Sequence, residues 1–169
     1  LAKNFASSIS PWIVTLDALE PFKCESPEQN PKPLPYLQQT GKHAYDINLQ
    51  VAIRPENNVE TVVSNSNFKY MYWTMSQQLA HHTINGCRVN SGDMMGSGTI
   101  SGPTPDSFGS MLELSWGGQN PIKMNDGSER KFINDNDTVI IRGYCQNDKV
   151  RIGFGEVSSK LLPAIDLKF

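Results

Sequence analysis

One acid, Glu113, stands in an apolar stretch, Met111-Leu112-Glu113-Leu114, shortly after a glycine-rich segment, Gly96-Ser97-Gly98-Thr99-Ile100-Ser101-Gly102-Pro103. Glycine is needed where a ligand or chain comes close to the backbone, and Thr99 offers one donor and one acceptor at the edge of the loop. The alternation of Leu112, Glu113 and Leu114 predicts a strand with the acid on the face opposite the two leucines. That acid is then either solvated on an outer face or buried with a function. On the residues alone the solvated reading is favoured, because charged side chains are mostly exposed.

The elements that must position these groups read as β-rich. Residues 9–16 (ISPWIVTL) are rich in β-formers and predict a strand, with Pro11 near its start where a missing donor is tolerated. Pro21, Pro27, Pro31, Pro33 and Pro35 then predict an extended surface loop rather than a polyproline ligand. Residues 45–53 alternate, with Tyr45, Ile47, Leu49, Val51 and Ile53 on one face, which predicts a half-buried strand. Asn65-Ser66-Asn67 offers a helix N-cap. Phe68, Met71, Tyr72, Met75 and Leu79 then recur at the spacing of a core-facing stripe, so one substantial helix is expected over about 67–82. His81 and His82 fall in its last turn, where imidazolium suits the helix dipole; as adjacent residues they point about a third of a turn apart and make no ligand pair.

Asn85-Gly86, Trp116-Gly117-Gly118 and Asn125-Asp126-Gly127 are turn signals. Residues 137–145 and 150–157 predict a hairpin across Gln146-Asn147-Asp148. Asp135-Asn136-Asp137 has the flavour of a calcium loop but lacks its glycine and distal glutamate, so it reads as a turn. The sum is a mainly β or α+β fold in a single domain.

Bulk properties exclude several function classes. The 169 residues suffice for one good core, and 15 basic against 17 acidic side chains leave a formal charge of -2. With no run of Lys or Arg, neither nucleic acid nor an anionic membrane has electrostatic support as a partner. Apolar runs fall far short of the roughly 20 residues that span a bilayer. Cys24, Cys87 and Cys145 are odd in number and far apart, which argues against a disulfide framework and for a reducing compartment such as the cytoplasm. No metal-binding spacing of Cys or His is present. The opening at Leu1 without a leader-like segment predicts a chain that begins inside a fold.

At Gly98-Thr99-Ile100-Ser101-Gly102, and over residues 67–79 (NFKYMYWTMSQQL), 108–116 (FGSMLELSW) and 140–154, the sequence closely resembles the fumarylacetoacetase family. The resemblance runs almost from Lys3 to Pro163 and corresponds to the C-terminal part of that family's catalytic domain. It implies a mixed β-sandwich roll, a homodimer in the cytoplasm, and a metal-dependent hydrolysis that splits a diketo acid, 4-fumarylacetoacetate, into fumarate and acetoacetate in tyrosine and phenylalanine breakdown. The leaving group is a carbanion, which needs electrophilic help such as a divalent cation, and water needs a base to attack the ketone.

By the resemblance, Glu113 matches the acid that orients a catalytic histidine, in the manner of a triad carboxylate, and this reverses the odds against the solvated reading. Lys3 matches a lysine near the ion that stabilises the leaving group, Ser7 matches a hydroxyl that approaches the same ion, and Gly98 and Thr99 match a turn that contacts substrate. The implied cofactor is Mg2+, Ca2+ or both, with its main carboxylate ligands, like the histidine, expected upstream of Leu1. His43, His81 and His82 do not match the catalytic position. The pattern departs from the family at Ala2 and Ala6, where glycines are usual. Two other readings stand beside this one. One is an inactive fragment or paralogue that keeps the fold for dimerisation or small-diacid binding; the other is a related acylpyruvate hydrolase or oxo-acid decarboxylase.

Overall fold

Alternating apolar residues pair four strands into the antiparallel sheet on which the rest of the chain is laid. The structure is a computed structural model that describes residues 6–56 and 59–165. In chain order its elements are α1 (Leu16–Leu19), β1 (Lys23–Cys24), β2 (Ala44–Tyr45), β3 (Asn48–Arg54), β4 (Thr61–Asn67), α2 (Met75–Thr83), α3 (Met111–Leu114), β5 (Ile122–Lys123), β6 (Glu129–Arg130), β7 (Thr138–Gln146) and β8 (Arg151–Lys160). The main sheet runs β4-β3-β7-β8, and β1-β2 and β5-β6 form two small sheets. All pairings are antiparallel. Three open sheets with few helices give the mainly β, α+β class expected from the sequence.

The half-buried strand at 45–53 forms as β2 and β3, parted where the Asp46 N–H turns to donate to Phe22 O at 2.8 Å. The hairpin of β7 and β8 also forms, and Asn147 Oδ1 closes its turn by accepting from the N–H groups of Lys149 and Val150. Leu19, Phe22, Tyr45, Ile47 and Cys145 make the buried core, with Val14, Leu49, Phe68, Ile152 and Phe154 packed on it. The three cysteines are free; Cys145 is fully buried, Cys24 half-buried and Cys87 exposed. Burial pushes the Cys145 thiol up to about 11 and raises that of Cys24 as well, so both are held as neutral thiols. Among the described residues no helix is long and apolar enough to cross a membrane.

Two expected elements differ. Residues 9–16 form no strand. Pro11 lacks a donor, Ser10 Oγ instead donates to Phe154 O at 2.7 Å, and Thr15 caps the one-turn α1 by accepting from the Ala18 N–H. The segment lies across β8, where Trp12 sits over Gly155; that residue has φ +70°, and a Cβ there would strike the indole. The helix expected over 67–82 is broken. Asn67 ends β4 and caps only a short 3-10 turn, Phe68–Tyr70. Met71 is extended, and α2 starts afresh at a capping box in which Thr74 Oγ1 accepts from the Gln77 N–H while Gln77 Oε1 accepts from the Thr74 N–H.

The predicted apolar stripe therefore does not face the core as a unit: Tyr72, Met75 and Leu79 are exposed, and the buried residue of α2 is Gln77. Its amide donates to Leu37 O at 2.7 Å and to Gln29 Oε1 at 2.8 Å, fastening the helix to the proline-rich loop. His81 and His82 do end this helix, as expected.

The turn expected at 135–137 is present, with Asn136 at φ 68°. Asp137 is 1 % exposed and pairs with Arg130, whose Nε and Nη2 donate at 2.8 and 2.9 Å; the Asn134 N–H adds a third bond at 2.9 Å. Burial pushes this carboxyl up, but the Arg130 and Asn134 bonds and the Arg130 charge outweigh it and hold it below the usual carboxylate range. A depressed folded value means the contribution is complete above the unfolded value, near 4, and is lost as pH falls through the lower folded one. Asp137→Asn is expected to destabilise the protein by about 3 kcal/mol near pH 7, as breaking a buried pair does. In urea unfolding the gap to wild type should narrow steadily below about pH 4.

Candidate functional site

Glu113 is not on a strand. Ser110 has extended backbone, its Oγ accepts from the Glu113 N–H at 3.3 Å, and residues Met111–Leu114 close one helical turn, α3. The signal for this was present in Ser110-x-x-Glu113, the spacing of a capping box. The turn puts the half-buried Glu113 carboxylate under hydroxyl donors. Ser110 Oγ donates to Oε2 at 2.7 Å, and Ser101 Oγ donates to Oε1 at 2.8 Å and Oε2 at 2.9 Å. Among the described residues no cation pairs with this acid.

Ser101 belongs to the glycine-rich segment, so the acid and the loop form one site. The loop is held on several sides. Ser66 Oγ, on β4, donates to Ile100 O at 3.2 Å, the Gly102 N–H donates to Ser107 O at 2.9 Å, and the Gly109 N–H donates to Ser101 Oγ at 3.0 Å. Two glycines make this packing possible. A Cβ on Gly109 would collide with Ile100 O and come within 2.8 Å of Thr99 Cγ2; one on Gly102 would lie 2.5 Å from Ser107 Oγ and 2.7 Å from the Tyr70 ring. Gly98 has φ +80°, a conformation other residues adopt only at a cost. Thr99 is exposed, and its hydroxyl makes no hydrogen bond among the described residues, so it can meet a ligand.

Gly98, Thr99 and Glu113 are thus brought together through Ser101. Ser101 and Ser110 were missed as site residues by sequence reasoning; Ser110 had its capping-box spacing, and Ser101 had no signal beyond its place among the glycines. Lys3 and Ala2 lie outside the described residues. Ser7 and Ala6 are exposed in the segment that runs beside β8, where Ser159 Oγ donates to Ser8 Oγ at 2.8 Å, and neither has a polar contact with Glu113 or Thr99. The three histidines are engaged elsewhere: His43 with Thr40 O, His81 with the Tyr36 hydroxyl and His82 with Cys87 Sγ.

Among the described residues no three His, Cys, Asp or Glu side chains cluster so as to hold an ion. The described residues therefore do not by themselves assemble a carboxylate ligand set for Mg2+ or Ca2+. What the site can do unaided is present a fixed, uncompensated carboxylate beside a hydroxyl and an open glycine backbone.

Comparison with known proteins supplies the context. The family model for fumarylacetoacetate (FAA) hydrolase, C-terminal, matches residues 1–161. Human fumarylacetoacetase is 54 % identical over 166 residues, which is 98 % of this chain and 40 % of the human protein. The Dictyostelium discoideum fumarylacetoacetase is 54 % identical over 167 residues, covering 97 % of this chain and 39 % of the relative. The Arabidopsis thaliana fumarylacetoacetase is 50 % identical over 165 residues, with coverage of 97 % and 39 %. The chain therefore spans about 40 % of the length of the relatives it matches.

Because the loop closes directly on Gly109, adding one methyl there must move it. Gly109→Ala is expected to cost about 1–3 kcal/mol, the range for overpacking. It should also speed amide hydrogen exchange over residues 98–102, measured by mass spectrometry, while exchange in β7 and β8 stays slow.

Proposed function

The chain belongs to the fumarylacetoacetate hydrolase family, and from that premise we propose that it is the C-terminal part of an enzyme that hydrolyses the carbon–carbon bond of 4-fumarylacetoacetate. In that reaction water adds to a ketone, the bond to the acetoacetyl carbon breaks, and the departing enolate takes up a proton to give acetoacetate beside fumarate. The observation that carries the proposal is the Glu113 carboxylate, bonded through Ser101 to the Thr99 loop, in a chain 54 % identical to human fumarylacetoacetase.

Each residue of this chain has a part in the proposal. Glu113 orients the imidazole of a histidine outside these 169 residues and stabilises it when it takes a proton from water, the task of a triad acid. The Thr99 hydroxyl and the Gly98 backbone contact the substrate. Lys3 stabilises the negative charge on the leaving group, and Ser7 accompanies it. A divalent cation, Mg2+ or Ca2+, belongs to the proposal through the resemblance alone, with its carboxylate ligands outside this chain. Homodimerisation, a cytoplasmic setting and a place in tyrosine and phenylalanine breakdown are carried by the same family relation.

Two measurements test the proposal, both following loss of the diketone absorbance. In the longer protein carrying this sequence, Glu113→Gln should keep the circular dichroism of wild type and lose up to about 10⁴-fold in kcat, the scale for removing an orienting carboxylate. A kcat near wild type would refute the role. The isolated 169-residue chain, supplied with Mg2+ or Ca2+, should show no turnover, since it lacks the histidine; metal-dependent hydrolysis by it would overturn this division of labour.

A further inference from the structure

We propose that Ser101 is a positioning residue for this reaction, its hydroxyl setting the Glu113 carboxylate against the loop that carries Thr99. The inference rests on the reading of Glu113 as the acid that orients a histidine. Ser101 Oγ uses its proton on both carboxylate oxygens, at 2.8 and 2.9 Å, and a lone pair on the Gly109 N–H, at 3.0 Å. With donor and acceptor both engaged, the hydroxyl cannot rotate freely, and its direction passes to the carboxylate.

The two serines differ in what they can do. Ser110 lies on the same turn as Glu113: it donates to Oε2 at 2.7 Å and accepts from the Glu113 N–H at 3.3 Å. It shapes that turn but cannot fix the turn relative to anything else. Ser101 lies 12 residues away, two positions after Thr99, in a backbone anchored to β4 by Ser66 and to residue 107 by Gly102. The Ser101–Glu113 bond is therefore the cross-link between substrate loop and acid. Among the described residues Oε1 accepts from Ser101 alone. A carboxylate oxygen can accept two bonds, so Oε1 keeps capacity for an imidazole N–H.

The test uses the longer protein carrying this sequence, with fumarylacetoacetate as substrate. Ser101→Ala is expected to lower kcat by about 10- to 100-fold, the range for one lost hydrogen bond to a charged group, with KM within about twofold of wild type. In a Glu113→Gln background the same substitution should cost no more than about twofold, since the two groups act as a unit.

If Ser101→Ala is too unstable to assay, Ser101→Cys, whose thiol is a weak donor, takes its place with the same expected fall in kcat at nearly unchanged KM. A kcat within about twofold of wild type for the serine variant, beside a slow Glu113→Gln, would overturn the inference and leave the proposed function standing. An undiminished loss in the Glu113→Gln background would reduce Ser101 to a merely structural role. A fast Glu113→Gln would instead remove the reading of the acid itself.

Discussion

The closed-off pair of Arg130 and Asp137 fixes where β7 begins, and the geometry of the candidate site follows from that register. Asp137 binds Arg130 of β6 and the Asn134 N–H, so Thr138 starts its strand opposite Arg54. From there β7 and β3 run in register to Tyr144 and Asn48. On its other edge β3 sets Leu49 opposite Ser66 of β4. Ser66 then holds Ile100 O, and the glycine-rich loop is placed. Each step is a directional bond, so a shift of one residue at Asp137 would turn the sheet over face for face. A second ionic contact joins Arg142 of β7 to Glu60, just before β4, and to Glu156 of β8. Its side chains are 30 to 45 % exposed, and such pairs contribute much less than buried ones.

Around the site the chain uses polar attachment where much of the sheet uses apolar packing. Hydroxyls of Ser66, Ser101, Ser107 and Ser110 hold backbone and carboxylate, and Gly102 and Gly109 let these groups close without an intervening side chain. The same habit recurs at α2, where buried Gln77 reaches the proline-rich loop. Neutral hydrogen bonds contribute about 0.5–1.5 kcal/mol each and those to charged groups about 1.5–3 kcal/mol. A few well-aimed bonds therefore match one buried aliphatic side chain in strength, and they add direction, which dispersion does not.

What could be read in the sequence divides along physical lines. The hairpin of β7 and β8 and the alternating run through β3 were legible because period-two patterning and turn residues act over many positions. Glu113 was misplaced because three alternating residues are too few to outweigh a capping serine, and Ser110 decided the matter. The long helix was overestimated because Phe68 to Leu79 keep helical spacing across a segment whose backbone breaks at Met71 and restarts at Thr74. The strand expected at 9–16 lost to side-chain bonds from Ser10 and Thr15. Of the site, the types of Gly98, Thr99 and Glu113 drew attention unaided, but their roles came from resemblance. Ser101 could not be found from one sequence, because its partners lie 8 and 12 residues on and their meeting is a fact of the fold.

The two gripped carboxylates differ in one respect that bears on reactivity. Asp137 is clasped by a guanidinium, so from a distance the pair is nearly a dipole and its field dies away quickly. Glu113 is clasped by alcohols. They fix the anion in place without neutralising its net charge, so its field reaches farther beside the Thr99 loop than that of an ion pair would. An immobile anion of this kind attracts a cationic neighbour at the instant one forms, with no side chain having to move.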